Sequence, residues 1–471
     1  NKYINRCYEM SNIESDSIDE NENDNSSLSQ SNEQQQQDQQ QQQEDQNYDI
    51  IVVGAGVAGA ALSRTLGVAG RRVLCVERDL REPDRIVGEL MQPGGVRALR
   101  QLGMGECFEG IDATPAYGYG IFKPNGSVKL SYPCDSSTKP INGFSFHHGR
   151  FVQKLRHQAS LVEEAYAPLT IVCDGCFSNL RRTLTTQTPQ VTSTFVGMIL
   201  KDCELPFPEH GHVFLVDPSP ILMYRIGSNE IRVLVDVPGD KCPSNSQLKS
   251  TFELETAPQL PEQLRTAFIH ALHNDQLKKM PNSRLHPDDI AQPGVIMIGD
   301  AWNMRHPLTG AGMTVALSDV CILTSLLANC SQADLLDHDR MKTIMLKFRV
   351  QRTPLASTMN VLAGALYRVF SADNDNLRQA CLGYLGLGGE FSAGPVALLS
   401  GLRPKPSVLA MHFFAVALYG VMRTLWPFPT PGRIRTCYRI LSAAAEIIVP
   451  LLRRERVLKS LCVLCNVLRL T

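Results

Sequence analysis

The sequence has almost no net charge, with 46 Lys and Arg against 47 Asp and Glu, or −1 over 471 residues. Its 14 cysteines show no disulfide-framework spacing, and neither an apolar h-region nor an 18-residue apolar span precedes Tyr48. Near-neutrality speaks against a nucleic-acid partner. The cysteine pattern excludes a disulfide-stapled secreted domain, and the third absence leaves no signal peptide or spanning anchor ahead of Tyr48. At 43% hydrophobic the chain is neither collagen-like nor wholly disordered, and its length allows two or three domains with a sizeable core. Cys173/Cys176 and Cys462/Cys465 have CxxC spacing, but they lie almost 290 residues apart and no nearby His completes a tetrahedral zinc set. Reduced, buried cysteines and no metal site are the reading.

The neutral total hides a segregation of charge. Residues 1–47 hold eleven acids and two bases, Lys2 and Arg6, and run into Gln34–Gln37 and Gln39–Gln43. With so little apolar surface this tract cannot offset the entropy of ordering, and a disordered acidic tail is expected. Residues 401–471 carry eleven bases against Glu446 and Glu455. They flank three apolar stretches, Val408 to Met422, Ile440 to Leu452 and Val457 to Leu470, each too short or too polar to cross a bilayer securely. Apolar helices rimmed by Lys and Arg suit an interfacial anchor on an anionic leaflet, with membrane lipid as partner. The alternative is a helical cap on the protein's own core with a solvated basic rim.

Tyr48 to Val53 reads as a buried strand, followed by Gly54-Ala-Gly56-Val57-Ala58-Gly59, a helix, and a second strand from Arg72 to Val76 closed by Glu77. Gly54 permits the tight turn, Gly56 lets backbone approach a pyrophosphate, and Gly59 lets helix and strand pack closely. Phosphates belong on the helix N-terminus, and Glu77 can bond an unphosphorylated ribose, which favours FAD or NAD over NADP. Leu169 to Cys173 is a further strand ending in Asp174-Gly175, and Gly294 to Ile298 another ending in Gly299-Asp300. A strand ending in GD before a Pro/Gly loop that opens a helix puts a carboxylate near ribityl or phosphate oxygens. In this order the three segments favour FAD. No second strand–GxGxxG–helix unit is present for a nicotinamide, since Gly383, Gly386, Gly388 and Gly389 lack a preceding strand. Thr194 to Leu200, His212 to Val216, Ile221 to Ile226 and Ile231 to Val237 are strand-like, with a helix around Pro261 to His273. Met345, Phe348, Leu355, Met359, Leu362, Leu366 and Phe370 fall near helical spacing, as core or as the lining of a substrate channel.

The string from Glu77 to Glu89 (ERDLREPDRIVGE), Gln92-Pro-Gly-Gly95, His147-His-Gly-Arg150, the DG and GD segments, and His412-Phe-Phe-Ala-Val-Ala417 resemble the squalene monooxygenase (squalene epoxidase) family from Tyr48 to the C-terminus. The resemblance implies an FAD monooxygenase that uses O2 to convert squalene to (S)-2,3-epoxysqualene on the cytosolic face of the endoplasmic reticulum membrane. Electrons come from NADPH through a separate cytochrome reductase. It implies FAD contacts at Val57, Ala58, Glu77, Arg78, Arg85, Leu90, Arg150, Asp300 and Met313, and an active-site Tyr119 partnered by Gln92. Other flavin hydroxylases of the aromatic or quinone type share the glycine, DG and GD skeleton without HFFAVA and the basic apolar end.

Only 23 residues separate Arg150 from Asp174, most of them a helix from Phe151 to about Glu164. In the family this interval is several dozen residues longer and supplies a strand, a β-meander and a further FAD contact. A skipped exon and a genuinely shortened protein, even an inactive membrane-bound remnant, are both open, and unpaired sheet edges over an uncovered core are expected. The expected fold is α/β: a Rossmann-like FAD domain in two parts (48–190 and 291–355), an inserted mixed-sheet substrate domain (191–290), and C-terminal membrane-associated helices (356–471).

Overall fold

The computed structural model describes residues 48–123, 126–135, 139–157, 167–288, 292–370 and 375–455. The acidic tail, the Leu161–Tyr166 junction and the stretch from Val457 onward lie outside them. The nucleotide sheet is parallel, in the order β14-β8-β1-β2, from β1 (Ile50–Val53), β2 (Val73–Val76), β8 (Leu169–Val172) and β14 (Val295–Met297). Its residues are apolar on successive positions because both faces are covered. Ile50, Val52, Leu169, Ile171 and Met297 are wholly buried. β1 pairs on one side with β2 and on the other with β8, so the short Arg150–Asp174 interval leaves no gap inside the sheet. The expected uncovered core is not found among the described residues. The helix before β8 runs from His148 to Arg156, and the rest of its expected course, beyond His157 to about Glu164, lies outside the described residues.

A seven-stranded mixed sheet forms the second layer, in the order β13-β9-β12-β11-β10-β5-β6. It draws β5 (Gly118–Lys123) and β6 (Gly126–Ser131) from the first part of the chain, beside β9 (Gln190–Lys201), β10 (Gly211–Phe214), β11 (Ile221–Gly227), β12 (Glu230–Pro238) and β13 (Lys278–Arg284). The inserted layer therefore reaches outside residues 191–290, because β10 pairs in parallel with β5. Period-two alternation gives the sheet two apolar faces. Val196, Met198, Met223, Val233 and Val235 pack on the helix Glu262–Asn274 through Leu264 and Phe268. Phe195, Leu222, Tyr224 and Leu234 face the opposite core. A third small sheet, β3-β7-β4, joins β3 (Leu90–Met91), β4 (Thr114–Ala116) and β7 (Gly143–Ser145) between these layers.

Helices complete the body. The 33-residue helix His338–Phe370 buries Phe348, Met359, Leu362 and Phe370, which gives that stripe its core role. Helix Pro406–Leu425 has 20 residues, with a mean hydropathy of 1.6 over its most apolar 18, long and apolar enough to cross a membrane. It extends past both ends of the Val408 to Met422 stretch. Helix Pro431–Arg454 follows it. This end of the chain is tied to the nucleotide half where the Gly94 amide donates to the Ser400 carbonyl at 2.8 Å.

Candidate active site

Two helix N-termini point at one cavity. Helix Val57–Val68 begins at Gly56 with no side-chain cap and no acid in its first turn, and helix Gly312–Leu327 begins in the same way. Their leading amides are left for an anion, favoured by both helix dipoles. Gly56, Val57, Ala58, Gly312 and Met313 line the cavity, together with Arg85, Leu90, Tyr119 and Asp300. Most of the FAD contacts expected from the sequence are thus brought to one place.

The remaining expected residues form its supports or lie apart. Gly54, at φ +99°, and Gly59 make the crossing that closes the turn: a Cβ on Gly54 would stand 2.8 Å from Asp174 Cα, and one on Gly59 1.8 Å from Gly54 O. Glu77 accepts from the Ala55 amide at 2.8 Å and lies 3.5 Å from Arg156, so it braces the glycine loop. Its second oxygen receives only the Asp79 amide at 3.2 Å, which leaves lone pairs for a ribose hydroxyl. Arg85 reaches Cys176 Sγ at 3.3 Å and Asp300 at 3.8 Å. Arg181, buried, donates to the carbonyls of Cys176, Asp300 and Ala301 and so clamps the DG loop to the GD loop. Arg78 and Arg150 are exposed and outside the cavity lining.

At the far wall Gln92 is fully buried and organises two tyrosines. Its Nε2 donates to the Thr309 carbonyl at 2.7 Å and to the Tyr119 hydroxyl, while its Oε1 accepts from the Tyr132 hydroxyl at 2.8 Å. A carbonyl can only accept, which fixes the amide orientation. Tyr119 therefore receives a hydrogen bond from Gln92 and retains its own proton, with the Tyr132 hydroxyl beside it. Burial pushes the Tyr119 and Tyr132 hydroxyls above their ordinary range, so both stay protonated. His148 donates from Nδ1 to the Gly88 carbonyl at 2.9 Å, and burial brings it down to about 4. His212, between the His210 carbonyl and the Phe207 amide, is likewise lowered to about 4. Both rings are neutral cavity walls at pH 7.

Do these residues fit a flavin dinucleotide? A Cβ at Gly56, Gly175 or Gly312 would meet nothing within 4 Å, so the cradle is open where a phosphate would approach backbone. Asp174 Oδ1, between the lining residues Cys173 and Gly175, is buried without a partner, and such a group calls for a bound donor. The fit is good. The ends Val57–Ala58 and Gly312–Met313 would hold the phosphates, and Asp300 and Asp174 would take hydroxyls.

A family model for squalene epoxidase matches residues 166–438, and one for an FAD binding domain matches residues 47–146. "Squalene epoxidase 3" of Arabidopsis thaliana is 51% identical over 446 residues, covering 87% of this chain and 85% of that protein. The chain belongs to the squalene epoxidase family. The squalene monooxygenase of Mus musculus is 40% identical over 448 residues, covering 86% of this chain and 77% of its own length. Among solved structures, a flavoprotein/dehydrogenase from Cytophaga hutchinsonii superposes with a TM-score of 0.64 at 14% identity, covering 80% of this chain and 99% of that one. Klebsiella pneumoniae HpxO, complexed with FAD and uric acid, gives 0.60 at 16%, with coverages of 76% and 98%. These two share the fold. This squalene epoxidase family member is a flavoprotein that takes FAD.

Several functional positions escaped the sequence. Tyr132 meets Gln92, and Glu89, Tyr224 and Arg232 meet one another, across long sequence separations: Arg232 Nε and Nη2 donate to Glu89 at 2.7 and 2.8 Å, 143 residues apart. Of the four, only Glu89 carried a signal, as the last residue of the ERDLREPDRIVGE string. Glu77→Ala should weaken FAD binding roughly 10- to 100-fold, since it removes charge-assisted hydrogen bonds from loop and ribose. FAD fluorescence titration reads that loss, and vesicle flotation should be unchanged; equal loss of both would contradict a separate membrane face.

Proposed function

We propose that this chain is an FAD-dependent squalene epoxidase of sterol biosynthesis, with Tyr119 and Gln92 at its reacting centre. Squalene, O2, NADPH and a proton give (S)-2,3-epoxysqualene, water and NADP+. Bound FAD supplies the reductive activation of O2. The observation that carries the reading is an apolar cavity lined both by Tyr119, whose hydroxyl Gln92 sets, and by two uncapped helix starts. The walls Val57, Leu90, Leu222, Leu234, Leu308 and Met313 exclude water and suit a hydrocarbon. Gln92 orients Tyr119, and the Tyr119 hydroxyl offers a proton where negative charge develops on oxygen. Electrons are delivered by a separate NADPH-cytochrome reductase, in line with the single dinucleotide fingerprint in the sequence.

Tyr119→Phe keeps the ring and removes the proton. Its kcat should fall about 100-fold, with FAD content unchanged, in detergent-solubilised enzyme supplied with reductase, NADPH and squalene. Undiminished epoxide formation would remove Tyr119 from the centre, and the absence of epoxide from the unmodified enzyme would overturn the function itself.

The enzyme's place is the cytosolic face of the endoplasmic reticulum membrane. Met411, Phe414, Leu418 and Met422 form one exposed stripe at i, i+3, i+7 and i+11, continued by Trp426 and Phe428. Arg423, Arg433, Arg435 and Arg439 border it. Apolar side chains at acyl depth with cations at headgroup level are the pattern of a surface-lying helix on anionic lipid.

A further inference from the structure

A second set of polar side chains is buried behind the cavity. Ser193, Asp236, Asn282 and His306 come from β9, β12, β13 and the loop after the GD segment, and none is more than 7% exposed. Ser193 Oγ lies 2.5 Å from Asp236 Oδ1 and 3.0 Å from His306 Nε2, and Asn282 Nδ2 donates to both Ser193 at 2.9 Å and Asp236 at 3.1 Å. Serine, histidine and aspartate at such distances have the composition of a hydrolytic triad. The protons run the wrong way for one. His306 Nδ1 accepts the Leu308 amide at 3.2 Å and so carries no proton. Nε2 then holds the ring proton and donates to Ser193, while the serine proton goes to Asp236. The imidazole donates to Ser193 and cannot be its base, so the triad arrangement does not arise.

What the set holds is the loop. His306 stacks on Tyr367 with ring centroids 4.1 Å apart, which fixes its plane, and its acceptor contact pins the Leu308 amide at the start of the tight turn Pro307–Thr309. Pro307 and Leu308 line the cavity. The Thr309 carbonyl is the acceptor that sets the amide of Gln92, and Gln92 sets Tyr119. Hydrogen bonds on either side of the Leu308–Thr309 backbone thus link three strands of the large sheet to the Tyr119 hydroxyl at the cavity wall.

We propose that Ser193, Asp236, Asn282 and His306 are positioning residues that fix the Thr309 carbonyl and, through Gln92, the direction in which Tyr119 presents its proton. The inference rests on Tyr119 acting at the reacting centre. His306→Phe keeps the stack on Tyr367 and deletes both ring hydrogen bonds, Ser193→Ala breaks the network without touching the loop, and His306→Gln can restore one acceptor and one donor. In solubilised full-length enzyme, His306→Phe and Ser193→Ala should lower kcat about tenfold while KM and the FAD dissociation constant, read by fluorescence, change less than about threefold. His306→Gln should recover most of the rate. Added to Gln92→Ala, His306→Phe should cost nothing further, because both act on one link. In protein labelled with 13C-tyrosine, without FAD or squalene, the Tyr119 ζ-carbon resonance should move in His306→Phe; loss of that resonance in Tyr119→Phe assigns it. Additive losses in the double variant, or an unmoved resonance, would overturn the proposal. If His306→Phe fails to fold, Ser193→Ala decides by the same readouts. An unaffected Tyr119→Phe would instead sink the reading of Tyr119, and an impaired Tyr119→Phe beside an unaffected His306→Phe and Ser193→Ala would sink only the network.

Discussion

Gly59→Ala should yield a protein that purifies without flavin. The added methyl would stand 1.8 Å from Gly54 O, 3.0 Å from Gly54 C and 3.2 Å from Cys173 Cβ. No rotamer relieves a Cβ clash, so the helix Val57–Val68 has to retreat from the strand ends that hold it. Its leading amides at Val57 and Ala58 are the anion site, and hydrogen-bond strength falls steeply with misplacement. The visible absorbance of bound FAD in the purified protein measures the effect. Gly67→Ala supplies the control in the same helix. A Cβ there meets nothing within 4 Å, and alanine in place of glycine favours the helix by about 0.5–1 kcal/mol. That variant should keep full flavin and melt slightly higher. A yellow Gly59→Ala protein would show that the close crossing does not set the site.

The second large effect is on stability. Glu89 is 1% exposed and Arg232 5%, joined by two parallel hydrogen bonds with the Tyr224 hydroxyl 3.5 Å from the same carboxylate. Burial pushes the Glu89 carboxyl up, and the guanidinium opposes that shift. Arg232→Met leaves the acid buried with only a distant phenol, at a cost of about 3–5 kcal/mol, or roughly 3–6 °C in the melting curve of a body this size. The sign with pH follows. With its partner gone, Glu89 titrates still higher in the folded than in the unfolded chain. Its protonated form then supports the fold at pH 5, and that support is lost as pH rises through the folded value. The deficit of Arg232→Met should therefore be smaller at pH 5 than at pH 8. Glu89→Leu combined with Arg232→Met should recover most of the loss, because an apolar pair of similar volume replaces a desolvated ion pair. An equal deficit at both pH values would mean that Glu89 is not the group left behind.

Local chemistry was legible in the sequence, and long-range pairing was not. Gly54, Gly56 and Gly59 are readable because a tight turn, a backbone approach and a close crossing each demand glycine within six residues. The strands at Ile221–Gly227 and Glu230–Pro238 were readable from alternation and the turn between them. That β5 and β6 join the same sheet was not, since parallel pairing with β10 leaves no mark in either segment. Tyr119 and Gln92 came to notice only by resemblance; by residue type alone Tyr119 is an ordinary half-buried strand aromatic. His306 and Ser193, 113 residues apart, carried no signal in either segment, because each is unremarkable until its partner is known.

One consequence follows from the hydrogen bond between the Gly94 amide and the Ser400 carbonyl. Gly94 is the second residue of the helix that opens immediately after Gln92, and Gly401 rests against Thr314 and Met359. The C-terminal end is therefore no detachable tail. A version cut upstream of Ser400 to gain solubility would strip an acceptor from that helix start and bare the floor beneath Gln92. For anyone preparing this enzyme in water, the workable route is to keep the chain whole to the end of the Pro431–Arg454 helix. Polar replacements then belong on the outward stripe of Met411, Phe414, Leu418 and Met422, where the side chains touch nothing that the active site needs.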